Sequence, residues 1–241
     1  MILDLTESGH LFVSASGKES GMGNSSLGDE LIDRILHYHY DKEFILSCSF
    51  EADFVADLMH AGFLVMSMGV ENQGKTNYIL MPKHHTIRTV LLFDKLRISK
   101  SVRRLLPHYE LRADTDYEKI VASCVDTHGS DWLTPPLLCC LQEIREMENA
   151  PVRPYSFALY KNNKLVAGEF GILCGRVYTS YSGYYAENSC GTVQMILCAQ
   201  YLQKKGFPFW DLGMPLDYKY RLGAQDINSV EFISLFRAGR A

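Results

Sequence analysis

The sequence holds no run approaching about 18 apolar residues, so no membrane-spanning helix is expected from it. Positive charge is also scarce: 24 Lys and Arg stand against 28 Asp and Glu, a formal net charge of -4. That balance argues against a strongly basic nucleic-acid binder. It leaves room for a local basic patch, because binding follows the local field. The opening residues Met-Ile-Leu-Asp-Leu-Thr-Glu have neither a basic start nor a long apolar stretch, so a secretory signal is not expected and a cytoplasmic location is. The seven cysteines are odd in number and lie mainly in apolar surroundings, at Cys139-Cys140, Cys174 and Cys198. Buried, reduced thiols are the expectation, rather than a disulfide framework. Histidine offers no metal set. His37 and His39 point to opposite sides of a helix, Asp33 beside His37 supplies too few ligands, and His84 and His85 diverge if extended. A Ser-His-Asp or Cys-His arrangement cannot be assigned from spacing, since such groups meet only in space.

What is present is ordinary in bulk: 241 residues, 47% hydrophobic and 22% charged, enough for one large domain or two small ones. Residues 1–28 read as a flexible arm, rich in Ser and Gly from about Glu7, with a short strand at 11–13. Leu31, Ile32, Ile35 and Leu36 form a helical stripe over 29–40, and Phe54, Val55, Leu58 and Met59 form another over 50–61, with Gly62 as its cap. Strands are expected at 63–68 and 78–81 around a polar turn, and at 89–93. A short basic helix at 99–106 is stopped by Pro107, and 109–112 is extended. Helices follow at 117–127 and from Thr134, an N-cap before Pro135, to about Asn149. Strands at 155–160 and 165–173 flank Asn162-Asn163, a hairpin signal. A strand at 176–185, a helix at 193–204, and elements at 207–212 and 230–236 complete the set. The split falls near 107–115, giving a small N-terminal α+β lobe over 29–110 and a C-terminal lobe over 111–241.

Gly69-Val-Glu-Asn-Gln-Gly74-Lys75-Thr76 has the spacing of a phosphate-binding loop. Such a loop needs a helix directly after Lys-Thr to aim backbone N–H groups at phosphate. Here Asn-Tyr-Ile-Leu-Met-Pro follows, which is strand-like, and Glu71 would bring negative charge into the cradle. A hairpin turn is the expectation. The densest positive patch is Arg97-Ile-Ser-Lys100-Ser-Val-Arg103-Arg104, with Arg88 shortly before it. Lys100, Arg103 and Arg104 share one helical face, either as a solvated charged surface or as phosphate contacts along an RNA backbone. Trp132 is either a core side chain or a stacking platform, the latter worth about 1–3 kcal/mol per base.

Several segments resemble one family, the leucyl/phenylalanyl-tRNA–protein transferases. Lys164-Leu-Val-Ala-Gly-Glu-Phe-Gly is similar to its Leu-Val-Gly-Gly-x-Tyr-Gly strand. Leu222-Gly223-Ala224, followed by an acidic residue and Ile227, is similar to its Ser-Leu-Gly-Ala-x-Glu-Ile, and Trp210-Asp211 to the Ile-Asp of its Ile-Asp-Cys-Gln. Asp131-Trp132-Leu133-Thr134 resembles its Thr-Trp-Ile-Thr, and Arg97-Ile98-Ser99-Lys100-Ser101 its His-Ile-Ser-Arg-Ser. The similarity covers roughly residues 44–235 and is stronger after Leu96. Two departures stand out. The family's Gly-Glu-Ser-Met-Phe becomes Ser180-Tyr181-Ser182-Gly183-Tyr184, replacing a glutamate by tyrosine. Its Asp-x-Gln becomes Asp211-Leu-Gly213, and glycine has no side chain to fix a carbonyl or relay a hydrogen bond.

The resemblance implies an α+β fold with an acetyltransferase-like (GNAT) C-terminal lobe. It implies transfer of Leu, Phe or another amino acid from aminoacyl-tRNA to a protein N-terminus, marking that protein for degradation through an N-degron. No cofactor, metal or membrane is implied. Asp211 would be the catalytic residue, holding the acceptor amine. Trp132, Tyr181, Ser182, Asn188 and Gly213 would bind substrate, with Tyr178, Tyr184 and Tyr185 making the aminoacyl pocket bulkier and more polar. Arg88, Arg97, Lys100, Arg103 and Arg104 would touch tRNA. Two further functions stay open: an acetyl-CoA-dependent N-acyltransferase, disfavoured by a loop at 186–191 with one glycine and no basic residue, and a non-catalytic binder of aminoacyl-tRNA or N-terminal degrons.

Overall fold

The structure, a computed structural model, describes residues 2–6, 9–14 and 26–241. In chain order its elements are β1 (Ile2–Leu5), β2 (Leu11–Ser14), α1 (Leu27–His37), α2 (Ala52–Ala61), β3 (Leu64–Asn72), β4 (Lys75–Lys83) and β5 (Ile87–Leu91). Then come α3 (Lys100–Leu105), β6 (Glu110–Ala113), α4 (Tyr117–His128), α5 (Pro135–Glu146), β7 (Arg153–Lys161), β8 (Lys164–Cys174) and β9 (Val177–Tyr185). The chain closes with α6 (Cys190–Lys204), β10 (Trp210–Asp211), α7 (Asp217–Arg221), β11 (Gln225–Asn228) and α8 (Ser229–Arg240). The class is mixed α and β, as expected. The element at 230–236 is helical: Asn228 caps it by accepting from Glu231 N–H, and Phe232, Ile233 and Phe236 form its buried face.

Two compact units result, and they interleave along the chain. The first comprises residues 1–86 and 129–153, the second 87–128 and 154–241. This differs from a single boundary at 110/111. Strand β5 pairs with β10 and β11, which draws residues 87–91 into the second unit. Helix α5 packs with α2, which draws 129–153 into the first. Local periodicity reports neither pairing. Part of the expected arm at 1–28 lies outside the described residues, and within it β1 and β2 pair antiparallel.

In the first unit α1 and α2 bury Leu31, Ile32, Ile35, Val55 and Leu58. Ser26 caps α1 by accepting from Asp29 N–H, and Gly62 ends α2 at φ 105°, the left-handed region where a Cβ costs most. Strands β3 and β4 form the expected hairpin, turning at Gln73 and Gly74 (φ 50° and 75°). The Gly-x-x-x-x-Gly-Lys-Thr spacing therefore lies in an antiparallel ribbon, with no helix after Lys75 to bind phosphate. Thr134 N–H bonds Ser67 Oγ at 3.2 Å, and the two hydroxyls lie 2.7 Å apart, so the Thr134 side chain ties α5 to β3 rather than capping the helix.

The second unit carries a seven-stranded sheet in the order β11-β5-β10-β9-β8-β7-β6. Asn162 and Asn163 adopt φ 50° and 60°, the conformation of a two-residue hairpin turn between β7 and β8. Strands β8 and β9 pair over eight registers with a shift at Phe170/Gly171. A Cβ on Gly171 would lie 2.1 Å from Thr179 O, so only glycine fits that shift. Strand β10 is only two residues long, parallel to β9 and antiparallel to β5. The core runs through Leu91, Phe157, Tyr178, Leu202 and Trp210. Among the described residues no helix is long and apolar enough to cross a membrane. All seven cysteines are free; five are buried, while Cys48 and Cys139 are exposed, contrary to the uniform burial expected.

Candidate active site

Asp211 sits at the centre of the second unit's sheet and is 0% exposed. Its Oδ1 accepts from Arg88 Nε at 2.8 Å and from Gly213 N–H at 3.0 Å. Its Oδ2 accepts from Arg88 Nη2 and from Thr179 Oγ1, both at 2.8 Å. Register produces this cluster: Asp211 lies opposite Val90 on β5 and Thr179 on β9. The fork of a guanidinium matches a carboxylate in two parallel bonds, as Arg88 does here with Asp211. Arg88, 1% exposed, also lies 4.5 Å from the Phe232 ring centroid. The expectation that Arg88 meets tRNA is therefore corrected. Its charge is committed to Asp211 in a site without solvent, because a buried carboxylate demands a partner. Asp211 likewise has its oxygens engaged by protein donors, an arrangement that orders the strand ends rather than offering an open anion to an amine.

The turn after Asp211 is pinned from several sides. Gly213 has φ 75°, its carbonyl accepts from Thr89 N–H at 2.8 Å, and Leu212 N–H donates to Thr89 O at 3.0 Å. Lys219, 5% exposed, donates from Nζ to Leu212 O at 2.5 Å and Met214 O at 2.7 Å. Burial pushes the Lys219 ammonium down to about 8, opposed by the negative charge of Asp211. The motif glycine Gly223 is explained here too. It has φ 99°, and a Cβ would lie 2.0 Å from Lys95 O.

On β8, Glu169 is 5% exposed and accepts from Ser180 Oγ at 3.2 Å, and Ser180 Oγ accepts in turn from Trp210 Nε1 at 2.9 Å. Burial raises the Glu169 carboxyl to about 7, against lowering hydrogen bonds from Gln194, Ser180 and Tyr178 and the charge of Lys219. Desolvation inside the sheet, which disfavours the charged form, is the main cause of that rise. Nothing in the sequence reading singled out Glu169 or Lys219. An available signal was the charge of Glu169 inside the apolar run Leu-Val-Ala-Gly-Glu-Phe-Gly-Ile-Leu.

Of the expected substrate residues, Tyr181 and Ser182 are half-buried on β9. Tyr181 lies 6.2 Å from Phe170 between ring centroids, and Ser182 meets the Cys124 thiol, which burial pushes up to about 12. Asn188 is exposed in the turn before α6, and Gly213 is buried. Tyr178 is a core residue, edge-on to Phe157 at 5.1 Å, and Tyr185 is exposed, so neither fits the pocket expected of it. Trp132 belongs to the first unit, where its carbonyl accepts from Ser67 N–H at 2.9 Å.

The remaining basic residues form a solvent-facing cluster. Ser99 caps α3 by accepting from Val102 N–H, and Arg97 N–H is anchored to Leu222 O at 2.8 Å. Arg97, Lys100, Arg103 and Arg104 are all exposed, and none makes an ion pair with a carboxylate among the described residues. Four unpaired cations on one short segment are a positive patch that net charge conceals.

The second unit thus joins a mixed sheet holding a buried Arg88–Asp211 ion pair to an exposed basic segment. The sequence supplies the assignment. The model of the family "Leucyl/phenylalanyl-tRNA protein transferase" matches residues 90–237, and the chain belongs to that family. The leucyl/phenylalanyl-tRNA–protein transferase of Paracoccus denitrificans is 27% identical over 148 residues, 61% of this chain and 68% of that protein. The Pseudomonas putida protein of the same name is 28% identical over 152 residues, 61% of this chain and 66% of its own. The match thus spans about two thirds of these relatives. A structure of L-PGS from Bacillus licheniformis aligns over 99% of this chain and 89% of its own at 11% identity, with a TM-score of 0.43.

Proposed function

We propose that this protein transfers an amino acid, Leu or Phe in the first instance, from aminoacyl-tRNA to the N-terminus of an acceptor protein, and that the second unit is an acetyltransferase-like (GNAT) scaffold adapted to that chemistry. The observation that carries the reading is the family match over 90–237, which contains the unpaired cluster Arg97, Lys100, Arg103 and Arg104. Those four residues contact tRNA phosphates. Tyr181, Ser182 and Asn188 receive the aminoacyl end, and the N-degron so formed marks the acceptor for degradation. Reaction and partners belong to the cytoplasm.

The reaction suits a site with few reactive side chains. The acceptor amine attacks the ester carbonyl, a C–N bond forms and the ester C–O bond breaks. The terminal ribose hydroxyl leaves with the proton that the amine gives up. Alignment and charge placement dominate such a step. Asp211 contributes by holding Arg88, Thr179 and the Gly213 turn in register rather than by touching the amine. Absence of a glutamine at Gly213 and of a glutamate at Tyr181 supports a second reading, a binder of aminoacyl-tRNA that has lost turnover.

A transfer assay separates the two. Radiolabelled Leu-tRNA or Phe-tRNA is incubated with a model protein bearing N-terminal Arg or Lys. Label on the acceptor, lost in Tyr181→Ala, is expected. Salt-sensitive tRNA binding without transfer from any charged tRNA would leave the binder.

A further inference from the structure

Lys219 is a buried cation whose ammonium, among the described residues, has no carboxylate within ion-pair distance; it donates to two backbone carbonyls, Leu212 O and Met214 O. A lysine taken out of water without an ion-pair partner is costly, and an apolar chain of similar length would fill the same space. The two carbonyls flank Gly213. Between them, Gly213 N–H is fixed to Asp211 and Gly213 C=O to Thr89. Two carbonyl oxygens turned to one point repel each other, and the ammonium between Leu212 O and Met214 O offsets that repulsion. Directly after it come Met214, Leu216 and Tyr218, three large side chains exposed by 43%, 40% and 49%.

We propose that Lys219 is a positioning residue for the transfer reaction: its ammonium draws the Leu212 and Met214 carbonyls together, fixing the turn after Asp211 and the exposed rim Met214, Leu216 and Tyr218 that follows. The clamp supplies through a side chain from α7 the order that Gly213 cannot supply itself. It rests on the aminoacyl-transfer reading. The charged groups facing the ammonium are Asp211, Glu169 and Asp226, which favour its charge, and Arg88, which opposes it. At neutral pH the ammonium stays protonated and the clamp stays closed.

The test uses the full chain with Lys219→Met and Lys219→Arg, read by single-turnover transfer, tRNA binding and amide hydrogen exchange. Lys219→Met is expected to fold and bind tRNA like the parent, lose roughly tenfold or more in kcat with KM for tRNA unchanged, and expose the Gly213, Met214 and Leu216 amides to faster exchange. Lys219→Arg, which keeps the charge, recovers part of both. Parental kcat and parental exchange in Lys219→Met overturn the proposal. If Lys219→Met does not fold, exchange in the parent decides. Acceleration of those amides beyond the intrinsic pH dependence between pH 7 and 9 supports the clamp, and none refutes it. If the parent transfers no amino acid from any charged tRNA, the functional reading fails by itself, and exchange alone judges the clamp.

Discussion

The two units solve burial differently. The first places neutral polar groups in its interior: Ser47, Ser67 and Thr134 are hidden, and Ser67 and Thr134 satisfy each other. Among the described residues its one buried lysine, Lys83, reaches the half-exposed Glu43 at 3.0 Å. The second unit buries ionisable groups, Arg88 with Asp211 and Glu169 on its sheet and Lys219 on α7. A hydroxyl pair costs little to bury and stiffens a joint. Each buried ion costs several kcal/mol before pairing, so a fold tolerates a group of them only where they do something an apolar core cannot.

The sharpest way to break the contrast is to strand a charge. Arg88→Met leaves Asp211 buried without its partner and should cost about 3–5 kcal/mol, whereas Arg88→Met with Asp211→Leu should regain much of it. The chain has two tryptophans, one in each unit, so urea unfolding followed by Trp210 fluorescence in a Trp132→Phe background isolates the second unit. A double variant no more stable than the single one would show that the pair matters for more than mutual compensation.

Removing a charge without stranding another should act in the opposite direction. Burial raises Glu169 from 4.5 to about 7. The folded state therefore binds its proton more readily than the unfolded chain, so the favourable contribution is present below about pH 4.5 and is lost as pH rises through about 7. Glu169→Gln keeps an acceptor for Ser180 and should raise stability at pH 8 by about 3 kcal/mol at most, with most of the gain gone by about pH 5. Thermal unfolding at both pH values checks this; an equal gain at pH 5 would refute titration as the cause.

In the first unit the corresponding change is smaller. Ser67→Ala leaves Thr134 Oγ1 short of a partner and should cost about 1–2 kcal/mol with no pH dependence between 5 and 8. Smallest for stability is the basic segment, where Arg103→Gln with Arg104→Gln should move unfolding by less than about 0.5 kcal/mol. The same pair should reduce the salt dependence of tRNA binding by about one unit of log–log slope per charge, measured by titration at several salt concentrations. An unchanged slope would remove this segment from the interface.

Much of the local structure was legible because it depends on neighbours in the chain. The stripes of α1 and α2, the cap at Gly62, the Asn162-Asn163 turn and the hairpin behind Gly69-to-Thr76 follow from spacing and turn chemistry. The exposed cluster around α3 was legible for the same reason. Arg88 was misread because composition groups it with its basic neighbours, while register carries its side chain inward to Asp211.

The sequence by itself determined most of the helices and strands and the family to which the chain belongs, while α7 and β11 drew no expectation. Those depend on dihedral preference, apolar period and motif. Only the tertiary structure decided that β5 leaves its neighbours to pair with β10 and β11, bringing Arg88 to Asp211, and that α7 turns Lys219 back onto the Leu212 and Met214 carbonyls. Arg88 and Asp211 are 123 residues apart. Their meeting is set by strand pairing and burial, and no local pattern encodes either.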